Sequence, residues 1–104
     1  MKCRYQDCPC QATAAPAINV PAMNMPIPEH DPIHIVLGMP LCDVHLDQCA
    51  VSDFITPGSD IEKAVRIRAR GLAEPDFQRA WISRVEFESD EWRVMAKLNP
   101  ALNE

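Results

Sequence analysis

The second half of the chain has the clearest pattern of apolar and polar positions. Apolar residues recur at helical spacing between Ile61 and Leu72, which predicts an amphipathic helix. Ser59 at the N-cap and Glu62 at N3 form a capping box before this helix. Gly71 follows the periodic segment and is the predicted C-cap.

From Trp81 onward the period changes from helical to alternating. Apolar and polar residues alternate over residues 81–88, which favours a strand. A helix through Phe77, Trp81 and Val85 is the alternative, and residues 74–80 before it predict a short helical turn. Ser89 then caps a last helix that contains Trp92 and ends at residues 99–100.

Prolines shape the first half of the chain. Residues 11–20 predict a weak strand interrupted by Pro16. Residues 21–32 hold four prolines, which exclude a helix or an inner strand and predict an extended loop or sheet edge. Residues 33–37 predict a strand, and a helix is expected from Asp43 to Phe54, ended by the turn at residues 56–58.

The composition is that of one soluble domain. The chain has 104 residues, of which 47% are hydrophobic and 24% charged, and these values exclude wholesale disorder and a coiled coil. We expect no membrane-spanning segment and no signal peptide, and therefore a cytoplasmic protein. The formal net charge of −5 argues against a general nucleic-acid binder.

Cysteine spacing changes this picture most. The chain has five cysteines, and an odd number without an export signal argues against a disulfide framework. Cys3-x4-Cys8 and Cys42-x2-His45 are two short-spaced pairs, and two such pairs brought together by the fold complete a tetrahedral zinc site. The sequence therefore predicts one structural Zn²⁺ held by Cys3, Cys8, Cys42 and His45.

Two further cysteines bear on this ligand set. Cys10 could replace Cys8, because Pro9 stiffens the turn without deciding which thiol points inward. Cys49 lies nearly two helical turns from Cys42, so it is expected to be a small core residue.

The order of these segments resembles a treble-clef zinc finger. A knuckle with two cysteines, a hairpin and a Cys-x2-His pair at a helix start is the layout of that module, and residues 37–45 resemble its end. The 33 residues between Cys8 and Cys42 are more than usual, and Cys10 is an extra cysteine. More loosely, the chain is similar to small zinc-finger proteins of phages and bacterial mobile elements. That resemblance implies a structural metal and leaves the activity open.

These elements together predict an α+β fold. Residues 1–56 form the zinc-finger module, and residues 57–104 are an extension of helices and a short strand packed on it as one compact domain. The aromatic anchors of the extension are expected to be Phe77, Trp81, Phe87 and Trp92.

The leading functional hypothesis is an interaction protein that binds another protein, such as a host factor if the phage-like resemblance holds. Its contact surface is expected in the Met/Pro-rich loop, where apolar side chains offer an adaptable patch. The loop residues are Met23, Met25, Ile27 and Pro28.

The alternative function is nucleic-acid binding through one face of the capped helix. Lys63, Arg66 and Arg70 fall on that face and match the spacing of a phosphate-binding stripe. Glu62 and Glu74 nearby favour an ordinary solvated surface instead. The sequence makes no prediction about the oligomeric state.

An enzyme is not expected. Four protein ligands would close the zinc site to water, whereas a catalytic zinc keeps one position open. His30 and His34 do not make up a complete nuclease centre of the His-Me type, because the helix after Cys42 lacks the matching partners. Thiol chemistry at Cys8 and Cys10 is a further alternative, but a metal-binding turn that contains Pro9 is the simpler account of this segment.

Overall fold

The computed structural model describes residues 2–5, 7–21, 32–72 and 74–98. In these ranges the protein is a small α+β structure with a three-stranded antiparallel sheet and three α-helices, which confirms the predicted class. The strand order is β2-β1-β3, so β1 is the central strand. The elements in chain order are β1 (Ala14–Val20), β2 (Ile33–Val36), α1 (Asp43–Gln48), α2 (Asp60–Arg68), β3 (Trp81–Glu86) and α3 (Asp90–Leu98), with short 3₁₀ helices at Val51–Asp53 and Phe77–Arg79.

The chain divides into two compact units, each built from separate stretches. The first unit comprises Met1–Ala17, Val36–Cys49 and Ser83–Glu104, and the second comprises Ile18–Ile35 and Ala50–Ile82. All four predicted metal ligands belong to the first unit. The boundary at residue 56 stays a prediction. Within the described ranges, no helix has the length and apolar character needed to cross a bilayer.

Strand β1 differs from the weak, interrupted strand that the sequence predicted. All seven of its residues are buried, and the strand runs through Pro16 without a break. Proline has no N–H to donate, but its carbonyl still accepts a hydrogen bond, here from the Leu37 N–H at 3.0 Å. The small side chains of Ala14, Ala15 and Ala17 are fully buried. The prediction was wrong because one missing donor does not end a strand that is packed on both faces.

Two apolar clusters form the core of the first unit. Successive side chains of a strand point to opposite faces, and accordingly Ala14 belongs to one cluster while Ala15 and Ala17 belong to the other. The buried members of the first cluster are Cys3, Ala14, Leu41, Cys42 and Leu46. Those of the second are Ala15, Ala17, Val85 and Trp92.

Helix α1 is shorter than predicted. It begins at Asp43 as expected but ends at Gln48 instead of Phe54. The backbone of Cys49 is extended, and a separate 3₁₀ turn follows, in which the Asp53 carboxylate accepts a hydrogen bond from the Ala50 N–H at 2.8 Å. This local hydrogen bond gives the chain an alternative to continuing the helix.

The second half follows its sequence pattern, except that α2 ends at Arg68 with Ala69 as its C-cap, before the predicted C-cap Gly71. The Ser59 hydroxyl accepts a hydrogen bond from the Glu62 N–H at 3.2 Å, so the predicted N-cap is confirmed. The Glu62 carboxylate accepts a hydrogen bond from the Gly58 N–H at 2.9 Å, one residue earlier than in a standard capping box. The strand prediction for residues from Trp81 is confirmed over β3, and α3 begins after Ser89 as predicted.

The predicted aromatic anchors divide into packed and exposed residues. Trp92 is buried, and its ring lies 5.0 Å from that of Phe87. Phe77 is half-buried. Trp81 is 46% exposed, so its assignment as a core anchor was wrong. It occupies the first position of β3.

Candidate metal centre

The first ligand pair lies on a tight turn near the N-terminus. The Cys8 N–H donates to the Tyr5 carbonyl at 3.1 Å, which closes the turn between Cys3 and Cys8. Asp7 has a φ of +59°, a left-handed conformation that aspartate tolerates better than most residues. This sharp reversal directs both thiols to the same side of the turn.

The second pair lies at the start of α1. Cys42 is the N-cap residue with an extended backbone, and its carbonyl accepts a hydrogen bond from the Leu46 N–H at 2.9 Å. His45 follows three residues later, and residues at that spacing share one helix face. Leu46 is buried and fixes the side of α1 that faces the core.

The fold brings these four side chains together. The ligand atoms of Cys3, Cys8, Cys42 and His45 all lie within 4.8 Å of one another, and the group can hold a metal ion. His45 Nδ1 lies 3.4 Å from Cys3 Sγ and 3.3 Å from Cys42 Sγ, and Cys8 Sγ lies 3.9 Å from Cys42 Sγ.

These spacings fit the edges of a coordination tetrahedron. With metal–sulfur bonds of about 2.3 Å and metal–nitrogen bonds of about 2.0–2.1 Å, tetrahedral geometry gives sulfur–sulfur edges of about 3.8 Å and sulfur–nitrogen edges of about 3.6 Å. Each of the three measured distances lies within about 0.3 Å of its ideal edge. These three pairs therefore lie at separations that a single tetrahedral ion would give them.

Burial of the site is uneven. Cys3 and Cys42 are buried, whereas Cys8 and His45 are half-buried. The Tyr5 ring stacks on the His45 imidazole with a centroid distance of 4.1 Å and an interplanar angle of 16°. The site thus has two core-facing thiols and an outer side on which an aromatic ring covers the imidazole.

A polar network fixes the start of α1 beside the site. The Asp43 carboxylate accepts hydrogen bonds from the Thr13 hydroxyl at 2.7 Å and from the Arg84 guanidinium at 2.9 Å. The Thr13 hydrogen bond and then the Arg84 hydrogen bond hold the pKa of the Asp43 carboxyl below its ordinary value. No local sequence pattern predicts this network, because its three members are far apart in the chain and meet only in the fold.

The two remaining cysteines lie near the group without belonging to it. Cys10 is exposed, and hydrogen bonding to the Cys8 thiol is the main cause that raises the pKa of the Cys10 thiol. Cys49 is half-buried against the core cluster, and its thiol donates to the Leu46 carbonyl at 3.0 Å. The structure thus groups Cys8 with the other three candidate ligands, and Cys49 occupies a core position.

The predicted basic stripe lies only partly on α2, which ends at Arg68 before Arg70, and it is partly neutralised. Arg66 forms ion pairs with Glu62 and Glu74, and its guanidinium lies 5.3 Å from the centre of the Phe77 ring. Its pKa is raised, chiefly by the Glu62 hydrogen bond. Lys63 and Arg70 are exposed.

Two other groups of predicted residues have different outcomes. The Met/Pro-rich loop residues Met23, Met25, Ile27 and Pro28, together with His30, lie outside the described residues. His34 Nδ1 lies 2.6 Å from the Asn19 side-chain oxygen, and Asn19 is a buried polar residue. His34 therefore takes part in a polar contact inside the second unit and is not among the four grouped residues.

In comparisons with known proteins, the chain has no match among protein-family models, curated proteins or solved structures.

Proposed function

We propose that this protein binds one zinc ion through Cys3, Cys8, Cys42 and His45, and that the metal is structural. The observation that carries the proposal is the convergence of three thiols and one imidazole within 4.8 Å. Two ligand pairs separated by 33 residues meet at one point, which a set of unrelated core cysteines has no reason to do.

The donor set favours zinc over other biological ions. Thiolate sulfur selects soft or borderline ions and disfavours calcium and magnesium, which take oxygen ligands. Zinc adopts tetrahedral geometry with three cysteines and one histidine in many structural sites. Four protein ligands leave no position for a reactive water, so we propose a non-enzymatic role for the metal.

We also propose that the ligand-bearing segments form a treble-clef-like finger. A turn with two cysteines and a helix that starts with a Cys-x2-His pair support this interpretation. The zinc would then join the N-terminal turn to α1 and hold the chain between them as a closed loop.

As a biological role, we propose that the zinc-stabilised domain binds another protein. The net charge of −5 and the carboxylates beside Arg66 favour a protein partner over a nucleic acid. A salt titration separates the two: phosphate contacts weaken steeply as salt rises, whereas an apolar contact does not.

The metal proposal is tested by metal content per chain, with a count of reactive thiols before and after chelation. We expect one zinc per chain and three additional reactive thiols after chelation. Cys49→Ser is the matched control and should retain the metal, whereas Cys42→Ser should lose most of its affinity. Protein without bound metal and with five freely reactive thiols would overturn the proposal.

A further inference from the structure

The His45 imidazole can bind a shared ion only in a restricted orientation of its ring. Its Nδ1 atom lies 3.4 Å from Cys3 Sγ and 3.3 Å from Cys42 Sγ. For the nitrogen lone pair to point at a shared ion, the ring must hold one orientation about its bonds to the backbone. In any other ring orientation the lone pair would point away from the ion, and the metal–nitrogen bond would be weaker.

Metal-binding histidines are usually oriented by a hydrogen bond from the second ring nitrogen to a carboxylate, a carbonyl or water. Among the residues that the structure describes, none accepts such a bond from His45 Nε2. The contact that the imidazole does have is the nearly parallel Tyr5 ring at 4.1 Å. Stacking fixes the plane of a ring, which is the property that the second hydrogen bond normally supplies.

Tyr5 is well placed for this role. It lies between Cys3 and Cys8 on the ligand-bearing turn, and its carbonyl accepts the Cys8 N–H that closes the turn. The backbone of Tyr5 is thereby tied to one ligand pair, while its side chain covers a ligand of the other pair. Tyr5 remains 54% exposed, so burial in the core does not explain its position.

We propose that Tyr5 is a positioning residue of the metal centre, which orients the His45 imidazole by stacking and shields it from water on the outer side. This inference rests on the proposed zinc site. It predicts that the benefit of the Tyr5 ring requires an imidazole at position 45. A tyrosine that only shapes the turn would matter equally whatever ligand stands there.

A double-mutant cycle on the full chain tests this requirement. Zinc affinity is measured by competition with a chromophoric chelator for wild type, Tyr5→Ala, His45→Cys and the double variant. Aromatic stacking typically corresponds to about a 3- to 10-fold change in affinity. We expect Tyr5→Ala to weaken zinc binding by that factor in wild type and to have no effect beyond twofold in the His45→Cys background, where a Cys-x2-Cys pair still binds zinc.

Two control variants and the visible spectrum of cobalt-loaded protein provide further tests of this role. Tyr5→Phe keeps the ring and should bind zinc within twofold of wild type. Val44→Ala removes an exposed side chain next to His45 on α1 and should have no effect. In cobalt-loaded protein, Tyr5→Ala should change the visible ligand-field bands, whereas Tyr5→Phe and Val44→Ala should leave them unchanged.

The possible outcomes distinguish a failure of the proposed Tyr5 role from a failure of the proposed metal site. Equal weakening by Tyr5→Ala in both backgrounds would assign Tyr5 to the turn alone and overturn its positioning role. An unchanged affinity and cobalt spectrum in the wild-type background would also overturn it. If wild-type protein binds no zinc, the proposed function fails first, whatever the behaviour of the Tyr5 variants.

Discussion

Removal of the metal should unfold the segments that carry its ligands, and α1 shows why. This helix has six residues, whereas isolated helices shorter than about 12–15 residues are marginal in water. Ordering six backbone residues costs about 6–12 kcal/mol. Leu46 is the buried residue of α1, and full burial of a leucine side chain returns only about 1.5–3 kcal/mol.

Local hydrogen bonds do not close this gap. Hydrogen bonds within a helix and at its ends, such as those from Leu46 N–H to Cys42 and from Cys49 N–H to His45, contribute only about 1 kcal/mol each. These contributions only partly offset the backbone cost, and structural zinc in finger peptides supplies roughly 10–16 kcal/mol. That amount is comparable with the whole stability of a small domain.

Amide hydrogen exchange measures this effect residue by residue. The amides of Cys3, Cys8, Leu46 and Cys49 donate the hydrogen bonds of the ligand-bearing segments. We expect them to be protected with zinc bound, to exchange rapidly after chelation and to regain protection when zinc is restored. Full protection of the Leu46 and Cys49 amides in metal-free protein would refute the reasoning.

Three other perturbations have defined outcomes. Cys10→Ser should retain one zinc per chain while Cys8→Ser should bind it far more weakly, as metal content after dialysis will show. The Arg66 hydrogen bond and then the Gly58 N–H lower the pKa of the Glu62 carboxyl, so its stabilising contribution is present above pH 4.5 and is lost as the pH falls through the lower folded pKa. Arg66→Ala should therefore raise the Glu62 titration midpoint in a carboxyl NMR experiment. Trp92→Ala should lower the free energy of unfolding of the zinc-bound protein by about 3–5 kcal/mol in urea.

Each of these predictions has a matched control. Cys49→Ser should behave like Cys10→Ser, because its thiol donates to a carbonyl and lies outside the ligand group. Arg70→Ala should leave the Glu62 midpoint unchanged. Ile67 is 70% exposed, so Ile67→Ala should change stability by less than about 0.5 kcal/mol. Equal binding of zinc by the Cys8 and Cys10 variants would mean that either thiol completes the site.

Much of this fold was predictable from the sequence because it depends on interactions between residues that are close together in the chain. The Ser59 cap and the alternation from Trp81 each depend on neighbouring residues, and the structure places α2 and β3 accordingly. The pairing of Cys3 and Cys8 with Cys42 and His45 was predictable for a related reason. Each pair is a short local motif, and the chemistry of the metal requires two of them.

Contacts between distant residues account for what the sequence did not reveal. Pro16 lies inside β1 because neighbouring segments cover the strand, which no local pattern records. The Tyr5–His45 stacking and the Asp43 network join residues that are far apart in the chain and meet only in the fold.

The long separation between the two ligand pairs has a consequence for how the chain can vary. A metal that joins the pairs acts as a cross-link, and the entropy of closing a flexible loop grows only with the logarithm of its length. Doubling such a loop costs about 0.6 kcal/mol, which is small beside the free energy of zinc binding. Insertions or deletions between β1 and β2 should therefore be tolerated by the metal centre. That connection is where a new binding specificity could be introduced without rebuilding the site.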